Sequence, residues 1–200
     1  MKISVILAHP CPGSLNHAIA GRVTAALRES GHDVLFHDLY AEGFDPLLPC
    51  GEIPRGAALP PAIARHCREI AAAGGIVFVH PDWWGMPPAI LKGWIDRVLR
   101  PGVAYRFSGT DPGEGIPAGL LSARAVLVLN TSNTPPGRER EVFGDPLGRI
   151  WEDCIVSFCG VPVCRRKMFG VVVASSEGER QGWLAEAEDL ARSTFPPDSR

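Results

Sequence analysis

The chain has 200 residues, 46% hydrophobic and 21% charged. That suits one domain spanning 1–200, at the usual roughly 100–200 residues per domain, and excludes wholesale disorder. Lys plus Arg number 20 against 22 Asp plus Glu, a net charge of −2; nucleic-acid binders and membrane-surface proteins need a basic excess to meet phosphate charge, so both classes are disfavoured. Six cysteines at positions 11, 50, 67, 154, 159 and 164 form no Cys-x-x-Cys pair and no zinc spacing. No metal is expected. The apolar run that opens the chain breaks at His9-Pro10 without a small-residue cleavage site, and no window approaches the roughly 18 apolar residues of a membrane span. A cytoplasmic protein with free thiols, not inserted in a membrane, is the expectation.

Residues 3–8 are a short apolar, β-branched run that fits a strand buried on both faces. A Pro/Gly/Ser turn follows. Ile19, Val23, Ala26 and Leu27 then recur at helical spacing, with Ser14 or Asn16 as cap and Gly31 as stop. Residues 34–39 read as a second strand, 41–61 as a Pro/Gly-rich loop, 62–73 as a helix and 76–79 as a fully buried strand. Residues 88–99 make a helix with Ile90, Leu91, Trp94, Ile95 and Val98 on one face. Residues 101–119 read as a long loop, 125–129 as a strand, 146–158 as a helix and 168–173 as the last core strand. Trp183, Leu184, Ala187, Leu190 and Ala191 pattern a closing helix. Continuous apolar strands alternating with helices imply an α/β fold with a parallel sheet covered on both faces. Ligands of such sheets sit beyond the carboxyl ends of the strands, so function is expected just after Ala8, Val79 and Leu129.

The three loops there are unusual. His9-Pro10-Cys11-Pro12-Gly13-Ser14-Leu15-Asn16 ends at a helix start, whose free N–H groups and partial positive charge attract phosphate; read alone it is either a phosphate site or an ordinary capped turn. It is neither a dinucleotide fingerprint nor a Walker sequence. His80-Pro81-Asp82-Trp83-Trp84-Gly85-Met86-Pro87-Pro88 sets two adjacent tryptophans in a loop, either to cover a flat apolar ligand or to roof the core. Asn130-Thr131-Ser132-Asn133-Thr134 offers hydroxyls, amides and backbone donors to a polar ring edge, and equally suits a plain polar turn.

Pro88-Ala89-Ile90-Leu91-Lys92-Gly93-Trp94-Ile95-Asp96-Arg97-Val98, behind the Trp-containing loop, resembles the signature of the flavodoxin-like NAD(P)H:quinone oxidoreductase (DT-diaphorase-like) family. His9-Pro10, Ser14-Leu15-Asn16, Asp38-Leu39-Tyr40, Phe44-Asp45-Pro46-Leu47 and Phe158-Cys159-Gly160 extend the likeness over essentially the whole chain. The resemblance implies a three-layer sandwich around a five-stranded parallel sheet of order 2-1-3-4-5. It also implies a flavin lying across the three loops, FAD favoured over FMN by the Ser-Leu-Asn turn, with NAD(P)H as co-substrate. His9, Ser14, Leu15 and Asn16 would hold the phosphates, Pro81, Asp82, Trp83, Trp84 and Gly85 would flank the isoalloxazine, and Thr131, Ser132, Asn133 and Thr134 would face its polar edge. Members are usually homodimers with the substrate site at the interface; Trp84, Tyr105 and Phe107 would line it, the last two from the partner subunit. The implied activity is two-electron reduction of quinones or similar electrophiles. An ancillary subunit of a potassium efflux system and a flavodoxin-type electron carrier are the alternatives.

The family's Tyr and His beyond the third loop, a proton relay there, have no counterpart in residues 138–145, which contain neither, so no acid–base residue is assigned. Outside the loops, His32, His37 and His66 are expected in structural or surface roles without partners. Residues 138–141 are expected as a solvated turn, Cys159 as packed, and Arg97 in a structural or interface ion pair.

Overall fold

The computed structural model describes residues 1–107 and 117–197. Its sheet is parallel, in the order β2 (Asp33–Asp38), β1 (Lys2–Leu7), β3 (Gly75–Pro81), β6 (Val126–Thr131), β7 (Cys164–Phe169). Counting parallel strands alone, that is the 2-1-3-4-5 order of a flavodoxin-like fold. Two further strands, β4 (Tyr105–Arg106) and β5 (Ala118–Gly119), form a small antiparallel pair inside the segment expected to be a loop.

The sequence pattern explains who sits where. Strands β3 and β6 are buried throughout and β1 beyond its first residue, because helices cover both faces. Ile3, Val5, Leu7, Val77, Val79, Leu127 and Leu129 pack on one side against α1 (Leu15–Glu29) and α6 (Glu177–Thr194). Ile6, Ile76, Phe78, Val126 and Val128 face the opposite way, toward α2 (Pro61–Ala71), α3 (Ala89–Val98) and Trp151. The two sets alternate along each strand, the period-2 rule that makes one strand serve two cores. Gly93, inside α3, lets the helix touch the preceding loop: a Cβ there would lie 2.2 Å from the Pro46 carbonyl oxygen.

Two expectations are corrected and a third is refined. The last strand is Cys164–Phe169, not 168–173. Its Arg165-Arg166-Lys167 core hides it from an apolar scan, but at a sheet edge those side chains find partners in Asn130, Asp145, Glu186 and α6, while Val172–Ala174 is a short, unburied 3₁₀ turn. Residues 138–141 are not a solvated turn: α4 (Pro136–Glu141) starts at a proline, whose fixed φ favours the first helical position. The 146–158 helix is α5 (Pro146–Arg149) running into a π-helical turn at Ile150–Val156. That turn buries Trp151 against Phe78, ring centroids 4.4 Å apart.

The three histidines are structural as expected, but they have partners. His32 Nε2 lies 2.9 Å from the Phe195 carbonyl oxygen. His37 faces Glu42 (2.8 Å) and Glu69 (3.0 Å), and His66 Nε2 lies 3.2 Å from Glu42. His37, Glu42 and His66 present ligand atoms within 4.8 Å of one another. Trp94 donates its indole N–H to His66 Nδ1 at 3.2 Å, so in the neutral ring the proton sits on Nε2, and that nitrogen donates to Glu42 instead of offering a lone pair to a metal. Arg97 makes the expected ion pair, clamping buried Glu52 with two bonds of 2.5 and 3.1 Å. Cys159 is packed as expected, and all six thiols are free. Among the described residues, no helix is long and apolar enough to cross a membrane.

Candidate functional site

The carboxyl ends of β1, β3 and β6 open into one cavity of about 660 Å³. Every residue expected from the first, second and third loops lines it: His9, Ser14, Leu15, Asn16, Pro81, Asp82, Trp83, Trp84, Gly85, Thr131, Ser132, Asn133 and Thr134. Tyr105 and Phe107 do not; they pack on each other and, through Tyr105, on Phe158.

The first wall is the start of α1. Ser14 caps it, its hydroxyl accepting from the His17 N–H. The same hydroxyl lies 2.9 Å from His17 Nδ1, and His17 Nε2 is 3.1 Å from Asp38 at the end of β2. Asn16 is buried and donates to Thr131 Oγ1 at 2.9 Å, tying the first loop to the third. Its Oδ1 is buried with no partner among the described residues, an open acceptor of the kind that marks a binding site. His9 accepts from the Cys11 N–H at 3.1 Å, and burial lowers its pKa, keeping it neutral.

The second wall is a two-residue hairpin. Trp83 and Met86 exchange both backbone bonds (3.1 and 3.2 Å), and Trp84 and Gly85 between them have φ of 60° and 70°. Positive φ at both central positions defines a type I′ turn, which favours Asn-Gly and strains a bulky residue. Here a tryptophan takes the strained place, 98% exposed. The turn is held from below: Asp82 accepts from the Gly85 N–H at 2.9 Å, and its own N–H donates to the Thr131 carbonyl at 2.7 Å. Gly85 also needs its bare Cα, because a Cβ would stand 2.6 Å from Pro146 Cγ. Behind the turn, fully buried His80 faces the Pro81 carbonyl through Nδ1 (2.8 Å) and accepts from Trp151 through Nε2 (3.0 Å). Burial drives its pKa down to about 4, so it is a neutral structural ring.

The third wall adds residues that the sequence reading missed: Glu139, Phe143, Pro146 and Val172. Asp145 starts α5 with a left-handed backbone (φ 49°), caps the Gly148 N–H at 3.2 Å and pairs with Arg166 through both carboxylate oxygens. Arg166 in turn donates to Asn130 at 3.0 Å. Burial raises the pKa of Asp82 and also that of Glu139, where Asp82 and Asp145 add to it and Arg166 opposes. The Pro135-Pro136 helix start was the available signal for Glu139.

Three strand ends, a helix N-terminus and an aromatic hairpin around one cleft define a ligand-binding α/β protein of the flavodoxin-like type. The flavodoxin-like fold family matches the chain over residues 1–190. An uncharacterized NAD(P)H oxidoreductase of Haemophilus influenzae is 33% identical over 191 residues, 92% of this chain and 91% of its own. The NAD(P)H dehydrogenase (quinone) 1 of Rattus norvegicus is 32% identical over 225 residues, 98% of this chain and 80% of its own. Among solved structures, the NAD(P)H:quinone oxidoreductase from Methanothermobacter marburgensis is 26% identical with a TM-score of 0.80, covering 96% of each chain. The chain belongs to the flavodoxin-like NAD(P)H:quinone oxidoreductase family.

Proposed function

We propose that this chain is an NAD(P)H-dependent flavoprotein that reduces quinones or similar electrophiles by two electrons in the cavity between the three loops. The observation that carries the reading is the convergence of an α-helix N-terminus, an aromatic hairpin and a polar third loop on one slot in a member of this family. A flavin suits the residues present. The α1 N-terminus with Ser14, Leu15 and Asn16 suits phosphate, and the buried, unpartnered Asn16 Oδ1 awaits a donor. Pro81, Asp82, Trp83, Trp84 and Gly85 suit the flank of a planar ring, and Thr131, Ser132, Asn133 and Thr134 suit its polar edge. FAD is the proposed form, on the Ser14-Leu15-Asn16 turn.

When bound, a flavin supplies hydride transfer, leaving the protein to bind, orient and exclude water. The fixed hydroxyl and amide groups at 131–134 then stabilise negative charge at the ring edge, as an oxyanion hole does. His9, neutral and half-buried, adds no charge beside the phosphates. The exposed side chains of Trp84 and Phe143 in the cavity lining suit burial in a homodimer, whose second subunit would bring Tyr105 and Phe107 to the substrate.

Purified protein is expected to be yellow and to release one flavin per chain, with the mass of FAD. Steady-state rates with NAD(P)H and a benzoquinone are expected to give parallel double-reciprocal lines, because both substrates use one face in turn. A colourless protein that takes up neither FAD nor FMN would overturn the reading.

A further inference from the structure

Among the described residues, Glu139 is the one carboxyl of the cavity with a buried oxygen that nothing claims. It reaches the site from α4, its residue is 3% exposed, and Oε1 is buried without a partner among the described residues. Its backbone is fixed at both ends: its N–H donates to the Pro135 carbonyl at 3.1 Å and its carbonyl accepts from the Asp145 N–H at 2.9 Å. These two bonds hold the helix turn that places Glu139 in the cavity wall.

We propose that Glu139 is the proton donor of this cavity, holding a neutral carboxylic acid against the acceptor and giving its proton to the acceptor's oxygen. The proposal rests on the quinone-reductase reading above. An ionised carboxylate with an unpaired buried oxygen is strongly disfavoured, whereas the neutral acid carries a donor that an incoming carbonyl can use. The charges around it agree. Asp82, from the second loop, and Asp145, at the start of α5, press on it with like charge. Arg166, on β7, is the cation facing it, and Asp145 and Asn130 already engage that guanidinium. Arg138, Arg140 and Glu141 on its own helix are exposed. Asp82 is the weaker candidate, since the Gly85 N–H bond supports its ionised form. Burial and the two aspartates together raise the Glu139 pKa.

The chemistry balances. Reduction of a quinone to a hydroquinone takes two electrons and two protons: a hydride equivalent, drawn in the end from the reduced nicotinamide, plus one proton. The Glu139 O–H bond breaks as the acceptor O–H bond forms, and the carboxylate left behind regains a proton from water at the cavity mouth.

Two measurements test this. Infrared difference spectra of the flavin-free protein, titrated from acid to alkaline pH, are expected to show a protonated-carboxyl C=O band that persists above the ordinary carboxylate range and that Glu139→Gln removes. In the loaded protein, Glu139→Gln is expected to slow the oxidative half-reaction with a benzoquinone by about 100-fold, the lower end of general-acid effects, and to abolish its alkaline decline. Reduction by NAD(P)H, which needs no acid, should slow less than the oxidative half-reaction and keep its pH profile. Glu139→Asp, which keeps an acid, should retain the decline, and it serves also if the glutamine variant does not fold. A wild-type protein that reduces quinone with no such band, or a Glu139→Gln protein with wild-type oxidative rate and pH profile, overturns the assignment alone. A wild-type protein that neither holds flavin nor reduces quinone overturns the underlying reading, and the assignment with it.

Discussion

Glu52 and Glu139 are buried almost equally, 4% and 3% exposed, yet the molecule treats them in opposite ways. Glu52 receives two bonds from Arg97, and Arg100 donates to its carbonyl. Arg97 also bonds the Asp45 carbonyl, so one guanidinium fastens the long 39–60 loop to α3. Glu139, in the cavity wall, is left with an open oxygen beside two other acids. Of these two carboxyls, the one saturated by an arginine braces the structural flank, and the one with an unpartnered oxygen lies in the cavity wall.

The comparison breaks most sharply at the arginine. Arg97→Ala leaves Glu52 buried and unpaired, and is expected to destabilise the protein by about 3–5 kcal/mol, read from the denaturant midpoint. Glu139→Gln is expected to go the other way. The folded-state pKa of Glu139 is raised, so the native form binds its proton more tightly and loses stability as pH rises through that pKa. The glutamine variant should match wild type in acid and exceed it once the pH has passed that pKa. If Arg97→Ala were as harmless as Glu139→Gln, pairing would not be what separates the two places.

His80 extends the comparison to acid. It is buried, neutral and bonded on both nitrogens, with its pKa held at about 4 against an ordinary 6.5. The unfolded chain therefore binds the proton first. Stability from this residue is intact above pH 6.5 and is lost as pH falls toward 4, a loss of roughly 3 kcal/mol at about 1.4 per pH unit. His80→Gln, which can still donate and accept, should flatten that part of the stability–pH curve. An unchanged acid limb would place the proton-sensitive group elsewhere.

The central strands were readable because β1, β3 and β6 are apolar on both faces, and the three loops because they follow those runs; the thirteen residues within the loops came from the family resemblance. Strand β7 was not, since Arg165, Arg166 and Lys167 owe their place to β6 and to partners such as Asp145 and Glu186, distant in sequence. Glu139 was hidden for the same kind of reason. In Arg138-Glu139-Arg140-Glu141 every residue looks solvated, and only the helix phase decides which one turns inward. The histidine partners His37–Glu69 and His66–Trp94 likewise depend on the packing of β2, α2 and α3.

The smallest expected effect is at Trp84. Its indole is 98% exposed, so removing it forfeits almost no packing in the chain, while its φ of 60° is one that a bulky residue adopts only under strain. Glycine takes that conformation freely. Trp84→Gly is therefore expected to raise stability by roughly 0.5–1 kcal/mol while weakening flavin retention, read as faster loss of bound flavin on dilution. The two signs must differ for the hairpin to belong to the site and not to the core. If stability falls together with retention, the indole supports the fold, directly or through a second copy of the chain, and the exposed hairpin joins the structural flank represented by Glu52.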